Sequence, residues 1–193
     1  MAVHGVSRRP TQGTQQARSR SGNLCGVDPA GQPDDVSPTS TDYFRLGRIR
    51  LYQPDEVLAL RLPAGVGELA AYSKTLAWVG REYFGRLRRD LGSLGVLIAV
   101  GIKLNRQTRL WCDVVDGEIP NDVWGPFVDL LEGAGDNVRP SVTGPVAFAL
   151  ECLVGAGPSI DFPMGPAAWA HAAAQHGTDL AVPDQLFELV FPD

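Results

Sequence analysis

Leu94-Gly95-Val96-Leu97-Ile98-Ala99-Val100-Gly101-Ile102 is the longest strongly apolar run in the chain, and its reading decides the fold. Nine residues fall far short of the roughly 20 that a membrane-spanning helix needs. The run is rich in β-branched residues and bounded by turn signals, so it reads as a strand. Leu94, Val96, Ile98, Val100 and Ile102 share one face, and Leu97 and Ala99 lie on the other. A strand apolar on both sides belongs in the interior of a sheet, with cover on each face.

Working outward, Leu104 to Gln107 serves as a hairpin connection to a strand over Thr108–Val115, on which Leu110, Cys112 and Val114 share a face. Upstream, Leu69, Leu76, Val79, Tyr83, Leu87 and Leu91 recur at helical steps, which predicts a long helix from Val66 to about Leu91. A further strand is expected over Phe44–Tyr52, with a short helical or extended piece at Glu56–Leu60. Downstream, Pro120 opens a helix running to Glu132, kinked or restarted at Pro126 and stopped by Gly133 and Gly135. Val142–Val154 is the fourth strand.

This order, β-α-β-β-α-β, predicts an α+β fold with a ferredoxin-like antiparallel sheet of strand order 4-1-3-2. Cys112 and Cys152 are not neighbours in that order, and both read as small core residues. Residues 155–193 form a C-terminal helical extension, with an Ala-rich helix over Pro166–His176 and an apolar run over Leu186–Phe191. It is expected to pack on the open sheet face, which leaves a single α+β domain at 42–193. Residues 1–41 are rich in Ser, Thr, Gln, Gly and Pro and are expected to be a disordered tail.

Charge divides the chain. Residues 1–109 hold sixteen Lys and Arg against nine Asp and Glu, whereas residues 110–193 hold Arg139 alone against thirteen acids. The acidic half argues against nucleic acid and anionic membranes and suits a basic protein partner. Three cysteines without a CxxC pair and the lack of an export signal suggest a cytoplasmic protein. The preference for Arg over Lys, 15 to 2, fits a GC-rich bacterial coding bias.

Candidate motifs are weak. Gly65-Val66-Gly67 followed by Ala70 matches a dinucleotide fingerprint, but Glu68 would set a carboxylate where a pyrophosphate must sit. His171 and His176 stand about 140° apart around a helix and do not face one metal. No nucleophile motif is present, and no catalytic residue, cofactor or metal is assigned. Arg81, Arg86, Arg88 and Arg89, near the end of the long helix, could grip an anion or simply complement the helix dipole. Asp113, Asp116, Glu118 and Asp122 form an acidic loop flanked by Trp111 and Trp124, which suit a protein partner as anchors. The third strand lacks the aromatics of an RNA-binding sheet.

The expectation is therefore a non-enzymatic protein-interaction module of accessory, regulatory or immunity type. The alternative is an enzyme or small-ligand binder using a divalent metal at the acidic loop 113–122 or an anion at the helix arginines 81–89.

Overall fold

The computed structural model describes residues 43–177 and 183–192; the expected tail at 1–41 lies outside them. The chain runs β1 (Phe44–Leu51), α1 (Asp55–Arg61), α2 (Val66–Arg86), β2 (Leu94–Ile102), β3 (Thr108–Val115), α3 (Asn121–Gly133), β4 (Val146–Val154), α4 (Ala167–His176) and α5 (Pro183–Val190). The architecture is α+β, with four antiparallel strands in one sheet.

The strand order is β1-β4-β2-β3, which differs from the 4-1-3-2 order expected of a ferredoxin-like sheet. The reason lies in the side chains. A ferredoxin-like order would centre the first and third strands, which here carry Arg45, Arg48 and Arg50, and Arg109 and Asp113. The observed order centres β2, buried along its whole length, and β4, buried at all but one position. The charged strands take the edges, where their polar side chains reach solvent. Cys112 and Cys152 remain on strands separated by β2, and both are free thiols.

Several elements differ from the sequence reading. α2 ends at Arg86 instead of Leu91, because Leu87 is already extended. β4 begins at Val146 instead of Val142, since Pro145 cannot donate to a ladder. α3 runs through Pro126 as one helix, and the C-terminal apolar run is part of helix α5. The buried stripe of α2 is also rotated from the expected one. It comprises Leu69, Tyr72, Ser73, Leu76, Ala77, Gly80 and Phe84, with Val79 and Tyr83 only partly buried at its margin. Gly80 explains the rotation: a Cβ there would lie 2.4 Å from the Phe44 ring, so glycine lets the strand aromatic press against the helix.

β1 changes phase at a bulge. Leu46 pairs with Cys152 but Arg48 pairs with Glu151, leaving Gly47 as the extra residue. Phe44 and Leu46 before the bulge, and Ile49 and Leu51 after it, share a face with the large residues of β4. Arg48 and Arg50 swing to the opposite face, beside Glu151.

Each sheet face has its own core. The first packs Val96, Ile98, Val100, Phe148 and Leu150 against α1, α2 and α3, around the rings of Phe44, Phe84 and Phe127. Phe44 stacks on Phe84 at 5.2 Å, and Phe84 meets Phe127 edge-on at 4.8 Å. Burying each such side chain contributes about 1.5–3 kcal/mol. The second face is small-residue terrain, Leu97, Ala99, Ala147 and Ala149, covered by Trp169 and Ala173 of α4 and by Leu186 and Phe187 of α5. Gly95 and Gly101 make room for this cover, since a Cβ on them would lie 2.9 Å from Phe162 and 2.5 Å from Phe187.

Candidate functional site

Polar contacts fasten the C-terminal segment to the sheet. Arg48 binds the two oxygens of Glu151 at 2.9 and 3.0 Å, and Arg50 reaches the same carboxylate. Arg50 also donates to the Pro163 carbonyl at 2.8 Å, which ties the approach to α4 onto β1. Arg61 of α1 forks onto Asp184 of α5 at 2.6 Å through both nitrogens and donates to the Pro145 carbonyl at 2.7 Å. Arg109 donates to the Val190 carbonyl at 2.9 Å. The Arg61 pair holds the Asp184 carboxyl below its ordinary range and raises Arg61.

The acidic loop is distributed rather than convergent. Asp113 accepts the first amide of α4, from Ala167, at 2.6 Å. Asp122, in the first turn of α3, lies 3.4 Å from Arg89. Asp116 and Glu118 are exposed in the turn between β3 and α3. Among the described residues no three His, Cys, Asp or Glu side chains come together as metal ligands, so the divalent-metal alternative gains no support there.

The two tryptophans are on opposite faces of the sheet. Trp111 meets Trp169 edge-on at 5.1 Å and Phe191 at 6.1 Å, beneath the C-terminal helices. Trp124 packs 5.6 Å from Phe127 at the margin of the first core. Trp111 and Trp124 therefore pack against different cores and do not lie side by side. They are separated because β3 alternates its side chains between faces and α3 crosses only one of them.

The arginine group disperses as well. Arg86 pairs with Glu82 at 2.6 Å, four residues back on α2, and Arg89 turns to Asp122. Arg88 and Arg89 lie beyond the end of the helix, and Arg81 is exposed on its flank. Of the four, Arg86 alone lies in the last turn of α2. The weak fingerprint at Gly65 resolves into a plain helix start in which Glu68 accepts the Ser141 amide at 2.9 Å. His171 contacts Gln175 at 2.9 Å within α4. Burial pushes the Cys112 thiol up to about 12, with Asp113 adding to the rise, and raises Cys152 as well. Neither is a thiolate nucleophile at neutral pH.

One exposed apolar feature was missed in the sequence reading. Along the seam of α2 and α3 runs a groove of about 380 Å³, lined by Trp78, Val79, Glu82, Tyr83, Arg86, Leu87 and Leu130. Trp78 is 57% exposed and Leu130 52% exposed, so two large apolar side chains flank it in water. Tyr83 forms part of its floor and donates to the Val123 carbonyl at 2.6 Å, which pins α2 to α3. The signal was present: on a helical wheel Trp78 falls outside the buried stripe of α2. A tryptophan on the solvent side of an amphipathic helix is the kind of residue that marks a contact surface.

Arg48, Glu151, Leu153, Ser159, Ile160, Asp161 and Phe162 line a second depression, of about 410 Å³, with Gly47. Glu151 is buried there, and its oxygens are occupied by the two guanidiniums. Such a saturated carboxylate cannot take a proton from a substrate without first losing its arginines. No helix among the described residues is long and apolar enough to cross a membrane. Comparison with protein-family models, with curated proteins and with solved structures finds no match for this chain.

Proposed function

We propose that this protein is a protein-interaction module that receives an apolar segment of a partner protein in the groove between α2 and α3. The observation that carries the reading is the pair Trp78 and Leu130, more than half exposed on either side of a groove whose other apolar lining is Val79, Tyr83 and Leu87. Exposed aromatic and aliphatic side chains around a groove are the anchor type used in helix and peptide recognition. The charged residues at the groove are already paired with each other, Arg86 with Glu82. Burial of apolar surface, more than attraction of a basic partner, therefore supplies the affinity. The free thiols of Cys112 and Cys152 suit a reducing cytoplasm as its working compartment.

A photo-crosslinking amino acid placed at position 78, and in a second variant at position 116 in the acidic turn, tests this in cells of the source organism. The expected result is a discrete adduct with one protein from position 78, suppressed by Leu130→Glu and absent from position 116. Equal adducts from both positions, or none from position 78, would refute the reading.

A further inference from the structure

The two edges of the sheet are built differently. β1 is broken by the bulge at Gly47 and carries Arg45, Arg48 and Arg50. Bulges and charges of this kind keep an edge from pairing with another chain. β3 has no bulge, and its two charged residues, Arg109 and Asp113, are of opposite sign. It runs from Thr108 to Val115 in unbroken register against Ile102 to Gly95, without Gly, Pro or Lys. Among the described residues no backbone hydrogen bond joins β3 to any segment other than β2. On the main face its Leu110, Cys112 and Val114 are only partly buried at the margin of the core.

The sequence of β3 is self-complementary. Laid antiparallel against a copy of itself and centred on Trp111, it sets Arg109 opposite the partner's Asp113 and Asp113 opposite the partner's Arg109. Leu110 then faces the partner's Cys112, and Thr108 the partner's Val114. Directly opposite residues of an antiparallel pair share a face, so each contact joins like surroundings or opposite charges. Moving the centre to Leu110 or Cys112 sets Trp111 against Arg109 or Asp113 and loses both charge pairs. Arg109 already donates to Val190 and lies 5.4 Å from the Trp111 ring, while Asp113 accepts the Ala167 amide through Oδ2. The remaining guanidinium donors and Oδ1 of Asp113 are the groups available to the copy.

We propose that β3 is a self-association edge. Two copies join antiparallel across a two-fold axis at Trp111, extending the four-stranded sheet into a continuous one of twice that size. The axis stands perpendicular to the sheet, so the grooves at Trp78 of the two copies lie on the same side.

Sedimentation of the full chain from low micromolar to several hundred micromolar tests it, with Arg109→Asp and Asp113→Arg as variants. Wild type is expected to dimerise reversibly. Each single variant sets like charges opposite each other twice per dimer and is expected to raise the dissociation constant at least tenfold. An equimolar mixture of the two variants restores both opposite-charge pairs and is expected to recover a dimer of near wild-type affinity. Recovery on mixing requires that the two positions face each other, so it also controls for any loss of stability in either variant alone. A wild type that stays monomeric at the highest concentration overturns the proposal. So does a dimer indifferent to both variants, or one that Trp78→Ala abolishes, since that would place the contact at the groove.

Discussion

At the scale of single residues, backbone conformation and small size decide as much as chemistry. Asn105 and Arg106 both have φ of 59°, in the turn that joins β2 to β3. Both residues lie in the left-handed region, which asparagine tolerates and glycine enters freely. Arginine there carries a cost of about 1 kcal/mol. Its compensation is a 3.2 Å exposed hydrogen bond to Ser141 Oγ. Arg106→Gly is expected to stabilise the protein by at most about 0.5 kcal/mol, once the greater freedom of glycine in the unfolded chain is deducted. A urea unfolding midpoint measured on both proteins checks it, and a lower midpoint for the variant would show that the Ser141 contact outweighs the strain. The same scale explains what was legible in β1. Its apolar residues are Phe44, Leu46, Ile49 and Leu51, and the change of phase at Gly47 is written in that spacing. Which oxygen the bulge would bring beside Arg48 depended on β4, more than 100 positions away.

At the scale of elements, α5 shows how an amphipathic run is held. Leu186 and Phe187 are buried on the second face, while Asp184 takes the Arg61 fork at its first turn. The Asp184 carboxyl sits below its ordinary value of 3.8 in the folded protein. A depressed folded value means that the pair contributes fully above the unfolded value, and that its contribution fades as pH falls through the depressed one. Asp184 is half exposed, so solvent keeps the effect modest. Protection of the α5 amides, with the intrinsic pH dependence of exchange divided out, is expected to fall on acidification from about pH 5 toward pH 2. Asp184→Asn should show lower protection already at neutral pH and a flatter acid response. Equal profiles in the two proteins would mean that apolar burial alone docks the helix. The other elements were largely legible, because helical and alternating periodicities survive in α2, α3, β2 and β3. Their ends were less so: the extended turn at Leu87 has no marker residue in the sequence.

At the scale of the molecule, the charge asymmetry turns inward. Arg48 and Arg50 bind Glu151, Arg61 binds Asp184, and Arg89 approaches Asp122, so basic residues of the first half hold acids of the second. A block of acid in the sequence thus reads partly as the complement of its own N-terminal half. The aromatic seal on the second face is the other whole-chain device. Trp169 lies 5.1 Å from both Tyr52 and Trp111 and 6.1 Å from Phe187, so it joins both sheet edges to both C-terminal helices. Trp169→Ala is expected to cost about 3–5 kcal/mol and to bare the small-residue face. The checks are a lowered urea midpoint and new binding of a hydrophobic dye under native conditions. A loss of stability without dye binding would mean that the helices stay docked on Phe187 alone.

Local periodicity, read from the sequence by itself, determined the identity of nearly every strand and helix and the need for cover on both faces of β2. The even residues of that strand are large and the odd ones small or apolar, and alternation of this kind is a property of neighbouring residues. The order of the strands and the pairing of Glu151 with two arginines were decided only in the tertiary structure. So were the separation of Trp111 from Trp124 and the exposure of Trp78. Each depends on which surfaces compete for burial across the whole chain. β4 displaces β1 from the centre of the sheet because it buries more apolar surface there, a comparison that no single stretch of sequence contains.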